Sequence, residues 1–174
     1  WQTAIPFGLQ GKTLGLVGVG RLGKQIGKIA QVFGMKTIGW SPNLTAERAA
    51  EAGVEFRETK EQFLRESDIV SIHMVLSEKT RDLIDAGDFK LMKSTALFIN
   101  TSRGPIVNEN ALIEAIEKGV IAGAGLDVFD QEPLPLDHTL RTLENVTLSP
   151  HNAYVNDTNY KASKPLCSGC IFVI

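Results

Sequence analysis

Thr13-Leu-Gly-Leu-Val-Gly18-Val-Gly20-Arg-Leu-Gly23 is the most informative stretch of the chain. A short apolar segment runs directly into Gly-x-Gly-x-x-Gly. The residues that follow have a helical period: Ile26, Ile29, Ala30 and Phe33 recur at i, i+3, i+4 and i+7. Strand, glycine turn and helix in that order separate a dinucleotide-binding turn from a chance cluster of glycines. Gly18 allows the tight turn, Gly20 lets backbone approach a pyrophosphate, and Gly23 lets helix pack closely on strand. The pyrophosphate then sits on free N–H groups at the positive end of the helix.

The alternation continues along the chain. Strands are read at Thr13–Val19, Lys36–Trp40, Val54–Phe56, Ile69–Val75, Ala96–Asn100, Ala122–Val128 and Val146–Ser149. Helices are read at Arg21–Phe33, Ala46–Ala52, Lys60–Glu66, Asp88–Met92 and Glu109–Lys118. Thr45 and Asn108 can cap helices, and Thr59-x-x-Gln62 has the pattern of a capping box. Gly34, Gly53 and Gly119 each follow a helix, where a left-handed residue is wanted. The strands are Val/Ile/Leu-rich rather than alternating, as strands covered on both faces are. These βα units predict an α/β fold, a doubly wound, mostly parallel sheet of about seven strands.

A chain of 174 residues, 43% hydrophobic, is long enough to bury one globular core. Its formal net charge of −2, with no long run of either sign, argues against a nucleic-acid groove or a basic membrane face. There is no apolar run long enough to span a membrane, and Trp1-Gln-Thr-Ala does not open like a secretory leader. The only cysteines are Cys167 and Cys170, so the body has no disulfide framework and a reducing, cytoplasmic setting is the simpler expectation. Cys167-x-x-Cys170 has a redox or metal spacing but lacks a second Cys or His pair, and no metal site is read.

Ligands of open parallel sheets bind beyond the carboxyl ends of the strands. Those ends carry the glycine turn, Ser41-Pro42-Asn43, His73–Ser77, Thr101-Ser102-Arg103, Asp127 and Pro150-His151. An NAD site usually has Asp or Glu after the second strand, against the ribose hydroxyls. Ser41 stands there instead, so a 2′-phosphate is not repelled. Ser41 and Asn43 can hydrogen-bond one, while Arg48 lies seven residues on in the next helix. NAD and NADP both remain open as cofactor. His73 reads as a positional residue, His138 as a solvated loop residue and Trp40 as packing.

Arg103, Glu132 and His151 form the chemical constellation. A carboxylate beside an imidazole favours its charged form, which can donate a proton near neutral pH. An arginine can hold a substrate carboxylate bidentately and polarise a neighbouring carbonyl. With a nicotinamide cofactor, such residues suit hydride transfer to a 2-oxo acid. A lone histidine is more often a satisfied surface residue, so spacing leaves both readings open.

Five motifs stand in order: Gly18-Val-Gly-Arg-Leu-Gly23, His73-Met-Val-Leu-Ser-Glu-Lys-Thr80, Asn100-Thr-Ser-Arg-Gly104, Gly125-Leu-Asp-Val-Phe-Asp-Gln-Glu-Pro133 and Ser149-Pro-His151. In these the chain resembles the Rossmann-like NAD(P)-binding domain of the D-isomer-specific 2-hydroxyacid dehydrogenases. The resemblance implies that Arg103 binds the substrate, Glu132 pairs with His151, and His151 protonates the carbonyl oxygen. It implies cofactor contacts from Gly18, Gly20, Arg21, Leu22, Gly23, Ser41, Asn43, Met74, Val75, Leu76, Thr80, Thr101, Ser102, Arg103, Asp127 and His151. Asp127 belongs at the nicotinamide end. The family also implies a small 2-oxo or 2-hydroxy acid as partner and a homodimer through the cofactor domain, with the Trp1–Phe7 arm contributing.

The family carries a separate flavodoxin-like substrate domain before the cofactor domain, and neither it nor the returning helix is read here. Residues 1–155 read as the NAD(P)-binding domain and 156–174 as an irregular tail, with the substrate domain missing. Without the second wall of the cleft, the isolated chain is expected to bind cofactor but turn over weakly. A non-enzymatic dinucleotide-binding module, like the corepressors of the same family, is the alternative.

Overall fold

The apolar run of the first strand stops at Val17, two residues earlier than its composition implies, because Gly18 turns the backbone to φ 95°. The computed structural model describes residues 8–157 and residue 159. The Trp1–Phe7 arm and the Cys167-x-x-Cys170 pair lie outside them.

The strands are β1 (Thr13–Val17), β2 (Lys36–Trp40), β3 (Glu55–Phe56), β4 (Ile69–Ile72), β5 (Leu97–Asn100), β6 (Gly123–Leu126) and β7 (Val146–Leu148). The helices are α1 (Arg21–Val32), α2 (Ala46–Glu51), α3 (Lys60–Glu66), α4 (Ala86–Phe89) and α5 (Glu109–Glu117). Single 3-10 turns occur at Gly104–Ile106 and Thr139–Arg141. The seven strands form one sheet in the order β3-β2-β1-β4-β5-β6-β7, every pair parallel. This is the doubly wound Rossmann-like arrangement, with the reversal of strand order between β1 and β4.

Phe63 and Leu64 of α3 are fully buried, and Phe63 fits against β1 because Gly15 has no side chain: a Cβ there would lie 2.8 Å from its ring. Phe89 and Phe98 meet edge to face, 5.3 Å between centroids, where α4 packs on β5. Each such ring contributes roughly 1.5–3 kcal/mol through burial.

Several local expectations change. The helix read at Asp88–Met92 is α4 and starts earlier, because Asp85 and Asp88 form a reciprocal capping box. At Thr59 the structure shows one half of the box, Thr59 accepting from the Gln62 amide at 3.1 Å. Of the periodic residues read in the first helix, Ala30 faces the core and the three large ones do not. Gly23, Gly27 and Ala30 are buried, whereas Ile26, Ile29 and Phe33 are exposed. Close packing on the sheet selects the small face, and an added Cβ on Gly27 would meet Leu16 and Val54 at 3.3 Å. Within the tail read as irregular, Asp157 and Asn159 are helical, and the Asn156 side chain accepts from the Asn159 amide at 2.8 Å. Among the described residues no helix is long and apolar enough to cross a membrane.

Candidate active site

Because all strands are parallel, their carboxyl ends share one edge of the sheet. The reversal between β1 and β4 opens a crevice there. The glycine turn sits in it. A Cβ on Gly18 would lie 2.6 Å from the His73 carbonyl oxygen, and one on Gly23 would lie 2.3 Å from the Gly18 oxygen. These two glycines answer to the protein's own packing. Gly20 does not: a Cβ there would meet nothing within 4 Å. The space it leaves is outside the protein, on the side where a ligand would approach. α1 begins at Gly20 with no side-chain cap, and the amides of its first turn lack intrahelical acceptors. Bare amides at the positive end of a twelve-residue helix fit an anion such as a pyrophosphate. Arg21 and Leu22 are exposed beside them.

On one flank, the Gly18 amide donates to Trp40 O at 2.9 Å, tying the glycine turn to the end of β2. There the Leu44 amide donates to Ser41 O at 3.1 Å, closing the turn that holds Ser41 and Asn43. On the other flank, beyond β4, Met74 and Leu76 are half-buried and Val75 is 83% exposed. The Thr80 hydroxyl, read as a cofactor contact, is buried. It accepts from the Ser77 amide at 2.7 Å and lies 2.8 Å from the Val75 oxygen, so it shapes this loop. Ser102 likewise donates its hydroxyl to Ile72 O at 2.7 Å, bracing β5 against β4. Burial pushes the His73 imidazole below its ordinary value, and its Nε2 lies 3.0 Å from Ser71 Oγ.

The sharpest feature of the edge is an ion-pair geometry. His151 Nδ1 lies 2.6 Å from Glu132 Oε2, with both side chains about one-third exposed. The second carboxylate oxygen accepts from the Phe129 amide at 3.0 Å. Burial opposes the charge on Glu132. The His151 and Phe129 hydrogen bonds, aided by the nearby charges of His151 and Arg103, outweigh it and hold the carboxyl below its ordinary value. Nδ1 is therefore engaged, and Nε2 is the ring nitrogen left over, an acceptor when the ring is neutral and a donor when it is charged. Arg103 is exposed on the neighbouring strand end. Thr101 beside it is also exposed. A cleft of about 680 Å³ borders the pair, lined by Phe129, Leu134, Arg141 and Leu148 among others.

Three supports of this site have tasks that the motif reading does not assign. Buried Asn100 accepts from the Ser102 amide and donates to Arg103 O, both at 3.0 Å, fixing the loop that carries Arg103. Gly104 allows that loop to lie against the Phe129–Asp130 backbone. His138 is not a solvated loop residue. Its Nδ1 accepts from the Leu140 amide at 3.3 Å, which leaves the proton on Nε2, 3.1 Å from Glu109. Glu109 also accepts from the Asp130 amide at 3.1 Å, so this second His–carboxylate pair anchors the segment leading to Glu132. A polar residue after a strand signals a site, but which neighbour it grips is not local information.

Asp127 is buried and accepts from Ser149 Oγ at 2.6 Å and from the Asn152 and Ala153 amides at 2.9 Å. Burial opposes its charge, but the Ser149 hydroxyl and these amides prevail and keep the carboxyl below its ordinary value. The three bonds bracket His151, whose φ of 52° is costly for a residue with a side chain. Asp127 thus holds the histidine loop in a conformation it would not adopt alone. Among the described residues no His/Cys/Asp/Glu group could hold a metal ion.

Comparison with known proteins bears on this edge. The family described as D-isomer specific 2-hydroxyacid dehydrogenase, NAD binding domain, matches residues 1–153. A glyoxylate reductase of Aeropyrum pernix is 46% identical over 155 residues, covering 88% of this chain and 46% of that protein. A crystal structure from Ralstonia solanacearum, described as a D-3-phosphoglycerate dehydrogenase, superposes with a TM-score of 0.86 at 38% identity. It covers 90% of this chain and 46% of that one. The NAD-complexed D-isomer specific 2-hydroxyacid dehydrogenase of Lactobacillus delbrueckii superposes with a TM-score of 0.78 at 33% identity, over 90% of this chain and 51% of that one. The chain thus spans about half the length of the relatives it matches.

Proposed function

The chain belongs to the D-isomer specific 2-hydroxyacid dehydrogenase family, matching its NAD-binding domain, and on that premise we propose that it serves NAD(P)-dependent reduction of 2-oxo acids to D-2-hydroxy acids. Glyoxylate and hydroxypyruvate are the substrates that fit best, since glyoxylate reductases recur among the relatives. The observation that carries the reading is the 2.6 Å His151–Glu132 contact on the same sheet edge as the glycine turn.

The nicotinamide, when bound, supplies the hydride that the carbonyl carbon receives. Gly18–Gly23 and the open end of α1 receive the pyrophosphate, and Val75 and its neighbours flank the adenosine side. Arg103 pairs with the substrate carboxylate and polarises the carbonyl oxygen. His151 in its charged form delivers a proton from Nε2 to that oxygen, and Glu132 stabilises the charged imidazole and fixes its plane. Asp127 and Ser149 keep the His151 loop in place.

The test is NADH titration combined with glyoxylate-dependent NADH oxidation. The chain binds NADH below millimolar and turns over slowly, because it spans 46% of the relative it matches and supplies one side of the cleft. His151→Asn reduces turnover by about 10²-fold or more. Absence of NADH binding, or oxidation equally fast with Asn at 151, refutes the reading.

A homodimer through α1 is part of the same proposal. Ile26, Ile29 and Phe33 lie on one face, 37%, 53% and 58% exposed, the kind of apolar patch that marks a protein interface. Sedimentation of Ile29→Glu as a monomer, against a dimeric parent, supports it; identical sedimentation refutes it.

A further inference from the structure

We propose that Arg48, acting with Ser41, forms a 2′-phosphate subsite that makes NADPH the preferred nucleotide. The inference rests on the dinucleotide reading above and adds the residue that discriminates between the two forms.

Arg48 lies seven positions past Ser41 in sequence, but folding brings it back. Ser41 to Leu44 reverse direction through the Leu44 N to Ser41 O bond, and α2 starts at Ala46. From the first turn of α2 the Arg48 guanidinium reaches the same turn, Nη1 donating to Asn43 O at 3.3 Å. One of the five guanidinium N–H groups is used in this way, and the side chain is exposed. The planar fork keeps donors for a phosphate dianion.

The position is the relevant one. The Gly18 amide is bonded to Trp40 O, so the glycine turn and the end of β2 are fixed to each other. A dinucleotide whose pyrophosphate lies on that turn places its adenosine ribose toward Ser41. The stretch Ser41-Pro-Asn-Leu-Thr45 contains no carboxylate to repel a 2′-phosphate or to hold a free 2′-hydroxyl. Glu47, the acidic neighbour of Arg48, is engaged with backbone at its own helix end and with Thr45, both of which hold its carboxyl below the ordinary value. Glu47 stays ionised, but its carboxylate is held at that helix end, and the Arg48 guanidinium is the charged group hydrogen-bonded to the Ser41 turn.

The experiment is parallel titration of the 174-residue chain with NADPH and NADH by ligand fluorescence, at low and high salt. NADPH binds at least about 10-fold tighter than NADH, and the ratio shrinks as salt screens the exposed contact. In Arg48→Ala the ratio falls to about one, and Arg48→Lys restores part of it. Ser41→Asp inverts the preference by placing a carboxylate where the 2′-phosphate lies. Equal affinities in the parent chain, tighter NADH binding, or a ratio unchanged in Arg48→Ala overturns the subsite while leaving nucleotide binding intact. Failure of both nucleotides to bind overturns the subsite and the dinucleotide reading together.

Discussion

Gly104→Ala is the most exacting test of how the site is held. A Cβ at Gly104 would lie 2.1 Å from the Phe129 carbonyl carbon, 2.2 Å from its oxygen and 2.6 Å from the Asp130 nitrogen. All three are backbone atoms, so no side chain can swing away. Restoring an ordinary contact of 3.4 Å needs an opening of about 1.3 Å between the Arg103 loop and the Phe129–Glu132 loop. Both sides resist. Asn100 grips Arg103 O, while Glu132 and Glu109 hold the Phe129 and Asp130 amides. Overpacking of ordinary cores costs about 1–3 kcal/mol, and a backbone-to-backbone clash belongs at the top of that range. At ~3 kcal/mol the melting midpoint of a domain of this size falls by roughly 6–12 °C. Displacing Arg103 by about 1 Å from Glu132 and His151 costs about 10²-fold in turnover. Thermal melts followed by circular dichroism, with glyoxylate-dependent NADH oxidation alongside, measure both effects. Gly20→Ala is the matched control. Its Cβ meets nothing within 4 Å, so stability changes by less than about 1 kcal/mol while nucleotide affinity falls. A Gly104→Ala chain melting within about 1 °C of the parent would refute the reasoning.

Two further outcomes concern stability. Asp88 is 6% exposed at its side chain and accepts from Lys60 Nζ at 2.7 Å; Lys60→Met leaves that carboxylate with the Asp85 amide but without its charge partner and lowers stability by about 1–3 kcal/mol, read as a shift in the urea midpoint, and an unshifted midpoint contradicts it. His73 is held neutral by burial, below the ordinary value of about 6.5 that it regains on unfolding. The unfolded chain therefore takes up the extra proton first, and the stability contributed by His73 is present above pH ~6.5 and lost as the pH falls through the interval down to the folded value. Urea titrations from pH 7.5 to 5 are expected to show a steeper loss in the parent than in His73→Gln, and coincident slopes contradict the assignment.

Strands and glycines were legible because their signals are local. β2 and α3 fall where composition places them, and Gly18 and Gly23 have the tight surroundings their spacing requires. The face of α1 was not legible. Its period is real, but Gly23, Gly27 and Ala30 face the sheet and the large residues face outward, because helix–sheet distance is set by the smallest side chains. Glu132 and His151 were readable as a pair only through the order of motifs; their 2.6 Å contact joins residues nineteen positions apart. The tasks of Asn100, Glu109, His138 and Asp127 were hidden for the same reason. Each is defined by a donor or acceptor on another loop, and hydrogen-bond partners across loops leave no periodic trace.

The strand order also has a temporal meaning. After β4, which pairs with β1, each new strand pairs with the one made just before it, and β7, at the rim, is the last. A chain emerging from the ribosome can assemble β1, α1 and β2 while the segment bearing His151 is still unsynthesised. On the proposed reading, the glycine turn that would receive the nucleotide is therefore made well before the histidine that would move the proton.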